Sequence, residues 1–309
     1  MGEVMIGDFE QQRVALSTGV ELDVVDIGPK DAPVLMFLHG FPESHRTWRY
    51  QLQHLSERFR CIAPDQRGYR GSSKPQDVAA YSVDKLTADI FALADALDVQ
   101  QFTVVGHDWG GAIAWSVALA GQPGGLNPAW DGRVTRAIIA NAPHPGIFSR
   151  LLMVNEEQRA ASQYMRFFRD TANDGLIEEH GIAGLLAAAF AGKPPSGGLQ
   201  PADEIDRLRA DWDDRDACRG MVNWYRASPI NVPSMDAPYE EPAAGDFPKL
   251  NIPTLVIWAM DDAALPPCNL EGMDRLIPEL TIEEVAGCGH FVSWEAPERV
   301  NAAMDQFLG

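Results

Sequence analysis

Short continuous runs of apolar residues alternate with amphipathic segments along much of the chain. Apolar runs of about four to eight residues between turn residues are typical of strands buried on both faces of a parallel sheet. The strands predicted in this way are 20–27, 33–38, 60–64, 102–106, 134–140, 253–259 and 281–285. Segment 83–97 repeats its apolar residues every three or four positions after Ser82, which suits an N-cap, and so predicts a crossover helix. The pattern indicates an α/β fold with a mostly parallel sheet and helices on both faces.

In the middle of the chain this alternation stops. The sequence there contains helical stretches, a Gly- and Pro-rich linker at 192–201, and no convincing strand. The apolar segment 181–192 is too short to span a bilayer and is more typical of a buried helix. We therefore predict a helical cap (lid) domain at 147–240, inserted into a core domain that comprises 1–146 and 241–309.

Segment 102–111 reads Phe-Thr-Val-Val-Gly-His-Asp-Trp-Gly-Gly, a pattern of strand, sharp turn and helix start. This is the pattern of a nucleophile elbow, in which glycines let strand and helix approach and the central side chain is exposed. The central residue is Asp108, and a carboxylate there can attack a saturated carbon directly to form an alkyl ester. The alternative is that Asp108 only caps the following helix.

A carboxylate nucleophile needs a histidine that activates water against the ester, an acid that orients this histidine, and N–H donors for the oxyanion. His290 lies in a glycine-rich loop after the last predicted strand, and Asp262 follows the strand before it. Asp261 is the competing candidate for the acid. The chain order of nucleophile, acid and histidine is that of the α/β hydrolases.

Five motifs extend over nearly the whole chain. They are His39-Gly-Phe-Pro-Glu-Ser44, Asp65-Gln-Arg-Gly-Tyr69, Gly106-His-Asp-Trp-Gly-Gly111, Asn223-Trp-Tyr-Arg226 and Gly289-His-Phe291. Together they resemble the epoxide hydrolases of the α/β-hydrolase fold, close relatives of the haloalkane dehalogenases. One departure is Arg70, since the family usually has glycine directly after the aromatic residue of the second motif.

The resemblance implies a substrate, a mechanism and a set of residue roles. An epoxide and water would form a vicinal diol through a covalent alkyl ester, without metal or cofactor. The implied roles are Asp108 as nucleophile, His290 as general base, Asp262 as its partner, the backbone amides of Phe41 and Trp109 as oxyanion hole, and the cap tyrosines Tyr164 and Tyr225 as donors to the epoxide oxygen.

Two other functions remain open on the sequence. The oxygen of an opened epoxide stays on the substrate and needs a proton, which neutral phenols can supply, whereas a departing halide needs only N–H donors. Trp109, Trp212 or Trp224 could supply such donors, although Phe41 stands where many dehalogenases have asparagine. Epoxide hydrolysis is thus the leading hypothesis, haloalkane dehalogenation the alternative, and a non-catalytic binding protein on this fold a third.

Composition restricts the partners and the location. With 25 Lys and Arg against 44 Asp and Glu, the net charge of −19 disfavours nucleic acids and anionic membranes as partners. Four cysteines without Cys-x-x-Cys spacing argue against a metal ribbon or a disulfide framework. We find no signal-peptide features and no long apolar span, so we expect a cytoplasmic protein. For the oligomeric state we expect a monomer or a homodimer.

Overall fold

The computed structural model describes residues 8–190, 200–242 and 247–309. Its strands are β1 Gln11–Ala15, β2 Glu21–Ile27, β3 Val34–Leu38, β4 Arg60–Asp65, β5 Phe102–His107, β6 Val134–Ala140, β7 Thr254–Ala259 and β8 Leu280–Val285. They form one sheet in the order β1-β2-β4-β3-β5-β6-β7-β8. Strand β2 pairs antiparallel with β1 and β4, and all the other neighbours are parallel. The predicted mostly parallel sheet is confirmed.

Every strand predicted from an apolar run is present, to within one residue at either end. The pattern does not predict β1, whose residues are mostly exposed and include a single buried one, Val14. This strand lies at the edge of the sheet and pairs only with β2. Because edge strands can be short and polar, β1 lacks the apolar signal by which the other strands are recognised.

Helices cover both faces of the sheet. The α-helices of the described residues are α1 Arg49–Leu55, α2 Val83–Ala96, α3 Asp108–Gly121, α4 Pro145–Val154, α5 Glu156–Ala161, α6 Gln163–Arg169, α7 Asp174–Ala189, α8 Ala202–Trp212, α9 Arg215–Ala227, α10 Met273–Leu276, α11 Val292–Glu295 and α12 Pro297–Leu308. Along β3, Leu35 and Phe37 pack into a buried cluster with α1 and α12, whereas Met36 and Leu38 pack into a second cluster with α2 and α3. The side chains thus alternate between two cores, as a doubly covered sheet requires.

Ser82 precedes α2 as predicted, but its side chain does not cap the helix. Its hydroxyl accepts no hydrogen bond from the helix backbone and interacts with the carboxylate of Asp84 instead. The predicted capping bond is therefore wrong, although the predicted helix is present.

Helices α4 to α9 lie between β6 and β7, and no strand occurs among the described residues of this insertion. The predicted apolar helix corresponds to α7, which kinks at Gly181, where φ is 64°. The predicted linker 192–201 lies outside the described residues, except for its last two positions. The division into core and cap domains at 147 and 240 stays a prediction. No helix in the described ranges is long and apolar enough to cross a membrane.

Close backbone packing and polar contacts join the insertion to the rest of the fold. A Cβ atom at Gly220 of α9 would lie 2.7 Å from the Cα atom of Gly68, so only glycine allows this approach. Arg46 and Glu204 of α8 form a buried ion pair between the two parts of the chain. These contacts hold α8 and α9 over the carboxyl edge of the sheet.

Arg70, which departs from the family pattern, has a strained backbone conformation. Its φ is 44°, in the left-handed region that favours glycine over residues with a Cβ atom. The side chain forms ion pairs of 3.2 Å with Asp65 and with Asp211 of α8. The arginine thus adds a link to the insertion at a strained position.

Candidate active site

The predicted elbow is formed where β5 ends at His107 and α3 begins at Asp108. Asp108 has a φ of 52°, a strained conformation for a residue with a side chain. Any Cβ atom at Gly110 would collide with the carbonyl oxygens of Leu38 and His39. Because glycine lets α3 approach β3 this closely, the turn is sharp and the Asp108 side chain faces away from the sheet.

Two groups contact the Asp108 carboxylate. The backbone N–H of Phe41 donates to Oδ1 at 2.7 Å, and Nε2 of His290 lies 3.4 Å from Oδ2. The backbone N–H of Trp109 belongs to the first turn of α3, where helix amides have no partner within the helix. The structure therefore places the predicted Phe41 donor on the Asp108 carboxylate, and the predicted Trp109 donor lies in the adjacent residue without a partner inside the helix.

His290 reaches a second carboxylate through its other ring nitrogen. Its Nδ1 lies 2.7 Å from Oδ2 of Asp262, while Oδ1 of Asp262 accepts from the backbone N–H groups of Ala264 and Leu265 at 2.8 and 3.0 Å. Asp261, the alternative acid, is exposed, and the contact of Nδ1 is with Asp262. The fold thus assembles Asp108, His290 and Asp262 from the ends of three different strands.

Asn141 is a residue of this site that the sequence analysis missed. It follows β6 with a φ of 39°, and its Nδ2 donates to Oδ2 of Asp262 at 2.7 Å. Its own Oδ1 accepts from the backbone N–H of Ala259 at 2.9 Å. Asn141 therefore ties the Asp262 carboxylate to the end of β7. The sequence does offer one signal for Asn141: it is a polar residue that directly follows the buried strand β6, which pairs with the elbow strand β5.

The electrostatics of the site follow from these contacts. Burial alone would lower the pKa of His290, but the charges of Asp262 and Asp108 outweigh it and hold the pKa well above its usual value. Burial would likewise raise the pKa of Asp108, yet the contact with His290 lowers it. The two neighbouring carboxylates therefore favour the protonated form of His290 in the resting site.

Tyr164 on α6 and Tyr225 on α9 lie together across the cavity from Asp108. Their ring centroids are 6.0 Å apart, and both residues line the cavity that contains Asp108. Burial, with the negative charge of Asp108 adding to it, raises the pKa of each phenol well above its usual value. Both hydroxyls are therefore neutral at pH 7 and can donate hydrogen bonds.

Two apolar cavities meet at these three side chains, since Asp108, Tyr164 and Tyr225 line both of them. The larger has an empty volume of about 490 Å³ and is further lined by Trp109, Ala112, Phe148, Met165, Ile230 and Leu265. The smaller has an empty volume of about 320 Å³ and is further lined by Phe41, Leu186, Phe190, Ala264, His290 and Phe291. Polar groups thus converge at the junction of two apolar chambers, as in many small-molecule sites.

The candidate halide donors on the insertion are already engaged. The indole N–H of Trp212 donates to the carbonyl oxygen of Pro42 at 2.8 Å, and that of Trp224 donates to the carbonyl oxygen of Arg67 at 2.9 Å. An indole has one N–H, so neither residue retains a donor for a halide. Both tryptophans fasten the insertion to the core instead.

Comparison with known proteins agrees with this fold. The profile of the family described as alpha/beta hydrolase fold matches residues 33–297. The chain therefore belongs to the α/β-hydrolase fold family.

Within that family, several of the similar proteins are named epoxide hydrolases. Epoxide hydrolase 1 of Caenorhabditis elegans is 31% identical over 298 residues, which cover 94% of this chain and 68% of that protein. A solved structure from work on novel epoxide hydrolases in metagenomes from hot environments is 62% identical, with a TM-score of 0.91 and coverage of 97% and 99%. The Bacillus megaterium epoxide hydrolase is 30% identical, with a TM-score of 0.80 and coverage of 96% and 99%. The resemblance predicted from the five motifs is confirmed.

The placement of His290 between two carboxylates makes its pKa a measurable property of the site. Asp108→Asn should lower this pKa, because it removes a negative charge 3.4 Å from Nε2 with little change of shape. NMR titration of the imidazole signals measures the shift. Asp261→Asn is the matched control, because Asp261 is exposed, and it should leave the pKa unchanged. Equal pKa values in the wild type and Asp108→Asn would contradict the electrostatic description.

Proposed function

We propose that this protein hydrolyses epoxides to vicinal diols through a covalent alkyl ester on Asp108. The observation that carries the proposal is the pair of neutral phenols, Tyr164 and Tyr225, across one apolar cavity from an elbow carboxylate. A nucleophile attacks carbon from the side opposite the breaking C–O bond, so the proton donor has to lie across the site from it. The names of two similar proteins support the same activity.

In the first half-reaction, an oxygen of the Asp108 carboxylate forms a bond to one epoxide carbon while the C–O bond to that carbon breaks. The hydroxyls of Tyr164 and Tyr225 hold the epoxide oxygen, and one of them donates its proton as negative charge develops there. The products are a hydroxyalkyl ester and a phenolate.

In the second half-reaction, Nε2 of His290 removes a proton from water, and the resulting hydroxide attacks the carbonyl carbon of the ester. The backbone amides of Phe41 and Trp109 stabilise the oxyanion, and Asp262 keeps the imidazole oriented and stabilises its charged form. Collapse releases the diol after the imidazolium protonates the departing oxygen. The carboxyl proton of the regenerated Asp108 then passes to Nε2 of His290 and restores the protonated imidazole of the resting site.

The ester also supplies the change in basicity that this sequence of steps requires. An imidazolium cannot accept a proton from water, and Asp108 helps to keep His290 protonated in the resting site. Alkylation removes the charge of Asp108, so the pKa of His290 falls, and the imidazolium gives its proton to the phenolate formed in the first half-reaction. This transfer leaves a neutral phenol and a neutral imidazole that can act as the base. The apolar lining of both cavities favours epoxides with apolar substituents. The cap domain at 147–240 would contribute the two tyrosines and also Phe148, Met165 and Ile230 to the larger chamber.

We expect the variant His290→Ala to separate the two half-reactions. Alkylation needs only the carboxylate and a phenol, whereas hydrolysis loses its base and should slow by about 10²- to 10⁴-fold. Incubation with a styrene-type epoxide should therefore produce an ester adduct that intact mass detects and peptide mapping assigns to Asp108.

Asp108→Asn combined with His290→Ala is the control and should give no adduct.

A panel of terminal, styrene-type and cyclic epoxides and of bromoalkanes, read for diol and for halide, separates the two candidate activities in the wild type. Halide release without diol formation would replace epoxide hydrolysis by dehalogenation. Binding of the panel without any turnover would favour the non-catalytic alternative.

Replacement of both tyrosines tests the proton donors. Tyr164→Phe and Tyr225→Phe should each leave part of the alkylation rate, because one phenol remains, while the double variant should lose about 10²- to 10⁴-fold. Rapid-quench measurement of the ester gives these rates. Tyr50→Phe, on α1 and away from the cavity, is the matched control. A fully active double variant would remove both residues from the mechanism.

A further inference from the structure

The steps above do not use His107, the residue directly before Asp108. Its ring is buried, and Nε2 lies 2.8 Å from the backbone carbonyl oxygen of His290. Burial, with a smaller contribution from His290, lowers the pKa of His107 to about 4, so the ring is neutral at pH 7. A carbonyl oxygen can only accept, and Nε2 therefore carries the ring hydrogen and donates it to the peptide of His290.

The other nitrogen of this ring shows why packing alone does not explain the residue. Nδ1 of His107 is buried and has no hydrogen-bond partner among the described residues. A buried polar atom without a partner is destabilising, and an apolar side chain of similar size would avoid that penalty. The polar contact that the ring does make is the bond to His290.

The loop that carries the base is held from two sides. Glu295 accepts from the backbone N–H groups of Gly289 and Phe291, at 2.8 and 3.2 Å, and so fixes the residues on either side of His290. His107 holds the carbonyl group of His290 itself, and the centroids of the two histidine rings are 5.0 Å apart. The anchor for the base thus lies next to the nucleophile in the chain.

This anchor matters most after the ester has formed. In the resting site, Asp108 attracts the imidazolium of His290. Alkylation removes that charge, and the imidazole then depends on its bond to Asp262 and on the position of its own backbone. A displacement of about 1 Å in a reacting group can lower a rate by about 10²-fold.

We propose that His107 is a positioning residue for the second half-reaction: its Nε2–H holds the peptide of His290 so that the imidazole keeps its place beside the ester on Asp108. This inference rests on the proposed function. From its position in the elbow alone, His107 would be expected to have only a structural role.

The test compares three replacements of His107 in single-turnover experiments. The amide nitrogen of glutamine can reach the place of Nε2, whereas that of asparagine reaches only the place of Nδ1, and leucine has no donor. Rapid quenching and intact mass follow the formation and the decay of the ester. His107→Leu and His107→Asn should slow ester decay roughly 10- to 100-fold with little change in ester formation, and His107→Gln should restore much of the decay rate.

His144→Leu is the matched control. His144 is also buried with one unpartnered ring nitrogen, but its bond at 3.2 Å is to the backbone of Gly146. This variant should keep the ratio of the two rate constants even where it lowers thermal stability. If His107→Leu slows both half-reactions equally, or if leucine and glutamine behave alike, the assignment is wrong.

A second measurement needs no turnover. The low-field NMR signal of the hydrogen on Nδ1 of His290, bonded to Asp262, should broaden or shift in His107→Leu and His107→Asn but remain in His107→Gln. An unchanged signal in all three variants overturns the inference. If the wild type forms no ester, the proposed function has failed, and the NMR result alone decides the role of His107.

Discussion

The geometry of this site depends on one buried contact, in which the imidazole of His290 lies between the carboxylates of Asp108 and Asp262. The three residues follow β5, β7 and β8, which with β6 are parallel neighbours in the sheet. Parallel strands bring their carboxyl ends to one edge, so residues far apart in the chain meet there. The glycines of the elbow and the amide of Asn141 set the remaining distances.

A buried ion pair is weak evidence for stability, because desolvation offsets much of the attraction between the charges. In this site the ion pair matters because the reaction itself can remove the charge of Asp108. Within the proposed mechanism, the ester converts Asp108 from a charged partner of His290 into a neutral substrate. The tyrosines remain neutral throughout the resting state because burial and the nearby carboxylate both oppose their ionisation.

The sequence was sufficient for those features that have a local signal. Continuous apolar runs predicted the strands, and the Gly-rich turn around Asp108 predicted the elbow. The edge strand β1 was missed because its sequence is polar and its pairing is the main reason it forms a strand. Asn141, the bond from His107 and the engaged indole of Trp212 depend on contacts between distant segments, which periodicity cannot reveal. Tyr164 had only a loose motif, and packing of α6 against α9 brings it beside Tyr225.

In the proposed mechanism, water attacks the ester at the carbonyl carbon of Asp108. A single turnover in heavy-oxygen water, with enzyme in excess over the epoxide, distinguishes this step from attack of water on the epoxide. We expect the first diol to carry an unlabelled oxygen from Asp108, and peptide mass to find the label in the Asp108 carboxylate. Label in the first diol with none in Asp108 would show direct attack of water on the epoxide and would contradict the covalent mechanism.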